Sequence, residues 1–204
     1  MHPEVSGPRG READGLGGAA RRGGPDTAAG EEVRTRVLQM GGIVEEQIEQ
    51  ALEALIGGNE ATIDQVIAND HRVNAMEVSI DEICSQIIAR RQPTASDLRM
   101  IMTVIKTITD LERIGDEAAK IARMARLIYA ADRSHTPRFV EIKHVAEIAL
   151  DMLHQALDAF ARLDLNAAAH IVRQDEQVDE EFRAILRQLI TFMMEDPRKR
   201  SEEH

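Results

Sequence analysis

The chain has 204 residues, a formal net charge of −11 and one cysteine, Cys84. Aromatics make up only 2% of it against 43% hydrophobic residues, so Ala, Ile, Leu, Val and Met must do the packing, and an all-α bundle is expected. The acidic balance excludes a general nucleic-acid binder, the lone cysteine excludes an intramolecular disulfide, and no apolar run reaches the ~18–20 residues that span a bilayer.

Residues 1–30 carry eight of the thirteen glycines and three of the six prolines, with no periodic apolar pattern. Such a segment cannot bury enough surface to offset its ordering entropy, and it is expected to be a disordered Gly/Pro/Arg-rich tail. Its start has no apolar core of the signal-peptide kind, so a cytoplasmic location is expected. From Glu31 the pattern changes. Val33, Val37, Met40, Val44, Ile48, Leu52 and Leu55 recur at three and four, which predicts a helix to about Ile56, ended by Gly57-Gly58. Gly41 and Gly42 inside it cost roughly 1 kcal/mol each against Ala. Close packing against a neighbouring helix is the expected reason.

A second helix is predicted over Glu60 to Arg91, its apolar stripe including Ile63, Val66, Val73, Ile80 and Ile83, and Pro93 ends it. Cys84 follows Ile80 and Ile83 in this pattern and is expected to be a buried small hydrophobe. Thr94-Ala95-Ser96-Asp97 reads as the start of a third helix, running to about Ala131. After a polar break at 132–137, a fourth helix takes Arg138 to Arg162 and a fifth Leu165 to Glu195, stopped by Asp196-Pro197. Residues 198–204 form a charged tail.

The third helix carries an electrostatic anomaly. Ile101, Val104, Ile105, Ile108, Leu111, Gly115, Ala118, Ala119 and Ala122 form one apolar arc at 100° per residue, yet Glu112 falls inside it and Asp116 on its edge. Acids at i and i+4 repel by about 0.2–0.5 kcal/mol at a surface, and a core-facing carboxylate costs several kcal/mol more unless something pairs with it. A cation, a metal or another helix could supply that partner. On the plainer reading, Asp116 pairs with Lys120 at i+4 and an Arg from a neighbouring helix holds Glu112.

The chain also repeats itself. Gln50-Ala51-Leu52-Glu53-Ala54-Leu55 returns as Gln155-Ala156-Leu157-Asp158-Ala159-Phe160, an offset of 105. The same offset aligns Val66 with Ile171, Asp70 with Asp175, Val73 with Val178, Asn74 with Asp179 and Ile80 with Ile185. Two similar helical units are implied. The first spans 31–132 with three helices. The second spans 133–197 with two, and the counterpart of the Glu112–Asp116 segment would fall near residue 217. The second unit is therefore expected to be incomplete, with an apolar groove between its helices.

Met40-Gly41-Gly42-Ile43-Val44-Glu45, Arg91-Gln92-Pro93-Thr94-Ala95-Ser96-Asp97-Leu98-Arg99 and Leu111-Glu112-Arg113-Ile114-Gly115-Asp116 resemble the PhoU family. These phosphate-uptake regulators are built from two three-helix repeats. The resemblance covers about Glu31 to Pro197. It implies a cytoplasmic, often dimeric accessory protein that acts with the phosphate transporter's ATPase subunit and a phosphate-sensing histidine kinase to keep phosphate-starvation genes repressed. It also implies metal sites at E/D-x-x-x-D motifs, with iron, zinc, manganese or magnesium as candidates. The motif carries over to Glu112 and Asp116, and its spacing recurs at Asp175 and Asp179. Asp70 and Asn74 match more weakly, because Asn stands at the last place. Such hard oxygen donors suit magnesium, manganese or iron.

Two other classes compete with a metal-binding regulator. One is a helical interaction module without a ligand. The other is a ferritin-like di-iron protein, which needs two Glu-x-x-His motifs on separate helices. Only Glu141-Ile142-Lys143-His144 fits, since Asp151-Met152-Leu153-His154 has the wrong acid and lies on the same helix. With no Gly-rich phosphate loop, nucleophile–His constellation or Cys–His zinc spacing, an enzyme is not expected.

Overall fold

The computed structural model describes residues 25–91, 93–131 and 139–195. Five helices follow one another: α1 (Pro25–Gly57), α2 (Glu60–Arg91), α3 (Ala95–Ala131), α4 (Val140–Arg162) and α5 (Leu165–Glu195). No strand occurs among the described residues. Residues 1–24 and 198–204, expected to be tails, lie outside the described residues.

The helix ends follow local chemistry. Gly58 closes α1 at φ 64°, donating its N–H to Ala54 O, with the Tyr129 ring where a side chain on Gly58 would sit. Asn59 Oδ1 caps α2 by accepting the N–H groups of Ala61 and Thr62. At the start of α3, Asp97 Oδ2 accepts the Thr94 N–H and hydroxyl while Thr94 Oγ1 accepts the Asp97 N–H, a reciprocal capping box. Two boundaries differ from the sequence expectation, and the smaller is at α4, which begins at Val140 rather than Arg138. Helix α1 starts at Pro25, inside the segment expected to be disordered. Proline suits a first helical turn, where its missing N–H is not needed, and the acid and alanines of Asp26-Thr27-Ala28-Ala29 extend that turn despite the glycines around them.

Helices α1, α2 and α3 pack pairwise into a three-helix bundle, α4 lies on α1, and α5 packs on α4. The bundle core has two parts. One is aliphatic, built on Val37, Met40, Val44, Val73, Ile80, Ile101, Ile108 and Leu111, with Cys84 buried among them. Burial pushes the Cys84 thiol up to about 11, so it is inert at neutral pH. The other is rich in alanine, where Ala51, Ala54, Ala118, Ala122 and Ala125 let α1 and α3 approach closely around Ile63 and Val66.

The junction between the units rests on a missing side chain. A Cβ on Gly41 would lie 2.5 Å from Leu157 Cδ2, so α4 can seat Leu157 on α1 only because position 41 is glycine. Leu153 and Phe160 extend this contact onto the aliphatic core. Close packing thus accounts for Gly41. It does not account for Gly42, whose Cβ would meet nothing within 4 Å.

Candidate functional site

The anomalous acids of α3 sit where α3 crosses α2. Gly115 is the crossing point, since a Cβ there would lie 3.3 Å from Val73 Cγ1 and 3.2 Å from Gln47 Oε1. That closeness brings Asp70 and Glu77 of α2 near Glu112 on α3, with Asn74 on the α2 turn between them and Asp116 one turn further along α3. Asp70 is buried and Asn74, Glu77, Glu112 and Asp116 are half-buried.

The site is short of cations. Glu112 and Asp116 make no hydrogen bond or ion pair among the described residues. The plainer pairing does not form: Lys120 donates to Glu117 Oε1 at 2.7 Å rather than to Asp116. Arg113 turns back to Asp110 at 3.5 Å, and both side chains are exposed. Among these acids only Asp70 has a cation within ion-pair distance, Arg123 Nη2 lying 3.7 Å from its Oδ2. On α2, two buried side-chain oxygens have no hydrogen-bond partner, Asp70 Oδ1 and Asn74 Oδ1.

Glu112 registers this crowding. Burial comes first in holding its carboxyl above the ordinary range, followed by the negative charges of Asp116, Glu77 and Asp70, and Arg113 opposes them only in part. Four carboxylates on two helices therefore share a half-buried space that a positive charge would relieve. The donors are hard oxygens, and the orphaned Asp70 Oδ1 and Asn74 Oδ1 fit a hard cation in kind. Among the described residues, however, no three His, Cys, Asp or Glu side chains converge as a metal-ligand group.

The sequence pairing of Glu112 and Asp116 with Asp175 and Asp179 is not what this chain assembles. Asp175 and Asp179 are exposed on α5, Asp179 Oδ2 accepts from Arg183 at 3.0 Å, and α5 has its packed interface on α4. The α2 neighbours of Glu112 are Asp70, from the weaker motif, and Glu77. Spacing along one helix cannot tell which other helix faces it. Glu77 was missed because it lies outside that motif, although its place two turns after Asp70 is readable from the sequence.

The histidines weighed for a di-iron site stand apart from this cluster. His144 is exposed, and His154 Nδ1 lies 3.0 Å from Glu45 Oε1, linking α4 to α1. Glu45 and His154 line a cleft of about 470 Å³ with Glu46, Glu49, Glu147 and Asp151.

Residues 37–125 and 142–203 match the PhoU domain. The chain is 49% identical over 168 residues to the phosphate-specific transport system accessory protein PhoU of Edwardsiella tarda, an alignment covering 82% of this chain and 68% of that protein. It is 48% identical over 168 residues to the protein of that name in Escherichia coli (strain K12), covering 82% and 69%. The crystal structure of PhoU from Pseudomonas aeruginosa superposes with a TM-score of 0.79 at 46% identity, covering 84% of this chain and 82% of that one. The phosphate transport system regulatory protein PhoU from Streptococcus pneumoniae gives 0.76 at 26% identity, covering 84% and 80%. By sequence over most of its length and by its helical architecture, the chain belongs to the PhoU family.

Proposed function

We propose that the protein is a cytoplasmic, non-enzymatic regulator of phosphate homeostasis, which restrains phosphate uptake and phosphate-starvation signalling. It would act, as a homodimer, by binding the ATPase subunit of a phosphate transporter and a phosphate-sensing histidine kinase. Membership of a family whose relatives are named as phosphate transport accessory proteins carries this reading. That no described helix is long and apolar enough to cross a membrane accords with an accessory role through protein partners. Deleting the gene should derepress phosphate-starvation genes in high phosphate, measured as transcript levels. Unchanged expression would count against the proposal.

The same reading includes a metal. Asp70, Asn74, Glu112 and Asp116 would hold a divalent or trivalent cation (iron, manganese, magnesium or zinc) through their side-chain oxygens. When bound, the cation would supply positive charge beside the unpaired Glu112 and Asp116 and tie the two helices together. Two unpaired carboxylates on α3 beside two orphaned oxygens on α2 support this most. Asp175 and Asp179 would be a separate pair on α5. A ligand-free interaction module is favoured by two observations, the Arg123 guanidinium already beside Asp70 and the lack, among the described residues, of three converging His, Cys, Asp or Glu side chains. Metal content of the purified protein, set beside that of the Glu112→Ala/Asp116→Ala variant, decides between them: equal, near-zero metal in both removes the cation.

A further inference from the structure

We infer that Gln47 is a positioning residue, a three-helix staple that holds the acid-bearing turns of α2 and α3 at one level. Gln47 lies on α1 and has no solvent exposure. Its Nε2 donates to Val66 O at 3.4 Å and to Gly115 O at 3.2 Å, so one amide group reaches from α1 to both other helices of the bundle. The places of those carbonyls matter. Val66 is one turn before Asp70, and Gly115 stands immediately before Asp116. Each bond therefore fixes the height of a turn that carries a candidate ligand.

The chemistry requires an amide of this length. The bound groups are both carbonyls, which only accept, so the NH₂ end must face them and the oxygen must face away. That oxygen, Oε1, is buried without a partner, an arrangement less favourable than an apolar side chain of the same shape. A core position that needed only packing would be met at lower cost by Met or Leu. The penalty goes with a second requirement, which the two carbonyls identify. Glutamate would lack the donors, and asparagine is one methylene too short to span them.

This inference rests on the carboxylate cluster being the functional site, and its test separates the two. The parent protein, Gln47→Met and the Glu112→Gln/Asp116→Asn double variant are titrated with Mn²⁺, free Mn²⁺ being followed by electron paramagnetic resonance. Gln47→Met keeps the volume and removes the donors. It should stay helical and melt cooperatively, yet bind Mn²⁺ roughly 10–100-fold more weakly than the parent, the range for loss of a group that orients metal ligands. A folded Gln47→Met that binds within about twofold of the parent overturns the inference. Should Gln47→Met not fold, Gln47→Asn takes its place with the same expectation. If the parent binds no better than the double variant, the metal reading fails, and Gln47 is judged by geometry alone. Spin labels on exposed His71 and Arg113 then report the α2–α3 spacing. A narrow distance distribution in the parent that broadens in Gln47→Met upholds the staple, and an unchanged distribution overturns it.

Discussion

The bundle α1–α3 and the hairpin α4–α5 grow from one repeated sequence, yet they bury it differently. The core residues Val33 to Ala125 all belong to the bundle, and Ala159 is the single buried hydrophobic residue described in the hairpin. Three helices can surround a set of side chains. Two can only cover one flank of each other, so the hairpin leaves Val172, Phe182 and Leu186 exposed. An apolar position acquires its energetic weight from the number of helices around it.

Repeat-related pairs test that lesson most severely. Ile80 is buried in the bundle, and its counterpart Ile185 is half-buried on α5. Ile80→Ala should cost about 2–5 kcal/mol in urea unfolding. Ile185→Ala should cost on the order of 1 kcal/mol or less, because fewer neighbours are lost. Equal costs would erase the distinction between the regions.

The acids offer a second contrast. At a concentration near 100 times its dissociation constant, Mn²⁺ should stabilise the protein by about 2.7 kcal/mol, read as a higher melting temperature. Glu112→Gln/Asp116→Asn should abolish that gain, and Asp175→Asn/Asp179→Asn should leave it in place. The opposite result would move the site to α5.

Neighbouring glycines sharpen the comparison at the junction of the two regions. Gly41→Ala pushes against Leu157 and should destabilise by about 1–3 kcal/mol, with earlier proteolysis of the hairpin. Gly42→Ala meets open space within a helix and should stabilise by roughly 1 kcal/mol. Chemical denaturation of the two variants checks the sign.

The smallest effect concerns protons. Glu112 binds its proton more tightly in the folded chain than in the unfolded one. Stability from this group is therefore fully present below the ordinary carboxylate range and is lost as pH rises through the raised value. In metal-free protein at neutral pH, Glu112→Gln should raise the melting temperature by about 0.4–2 °C, for a like-charge term of about 0.2–0.5 kcal/mol. The difference should vanish in acid. A Glu112→Gln protein that melts lower at neutral pH would show that the carboxylate is favourably paired.

Much of the molecule was legible before any coordinates. Gly57-Gly58, Pro93 and the Thr94–Asp97 box act over a few residues, so they mark helix ends directly in the sequence. Pro25 was harder to read, because the glycine-rich segment before it conceals a first turn that suits proline. Glu112 stood out because a charged residue within an apolar arc conflicts with the period of its own helix.

The helices, their apolar faces, the repeat and the membership that these imply can be read from residue order, since each is set by local propensity and periodicity. So can the need of Glu112 for a partner. Which residues stand beside it follows from how the helices pack. Helix α3 meets Asp70, Asn74 and Glu77 because Gly115 lets α2 come close at Val73, and Gln47 reaches both helices from the third side. Neighbourhood between helices depends on crossing points and approach distances. Those are set by residues from 19 to 68 positions apart along the chain, which the period of a single helix does not encode.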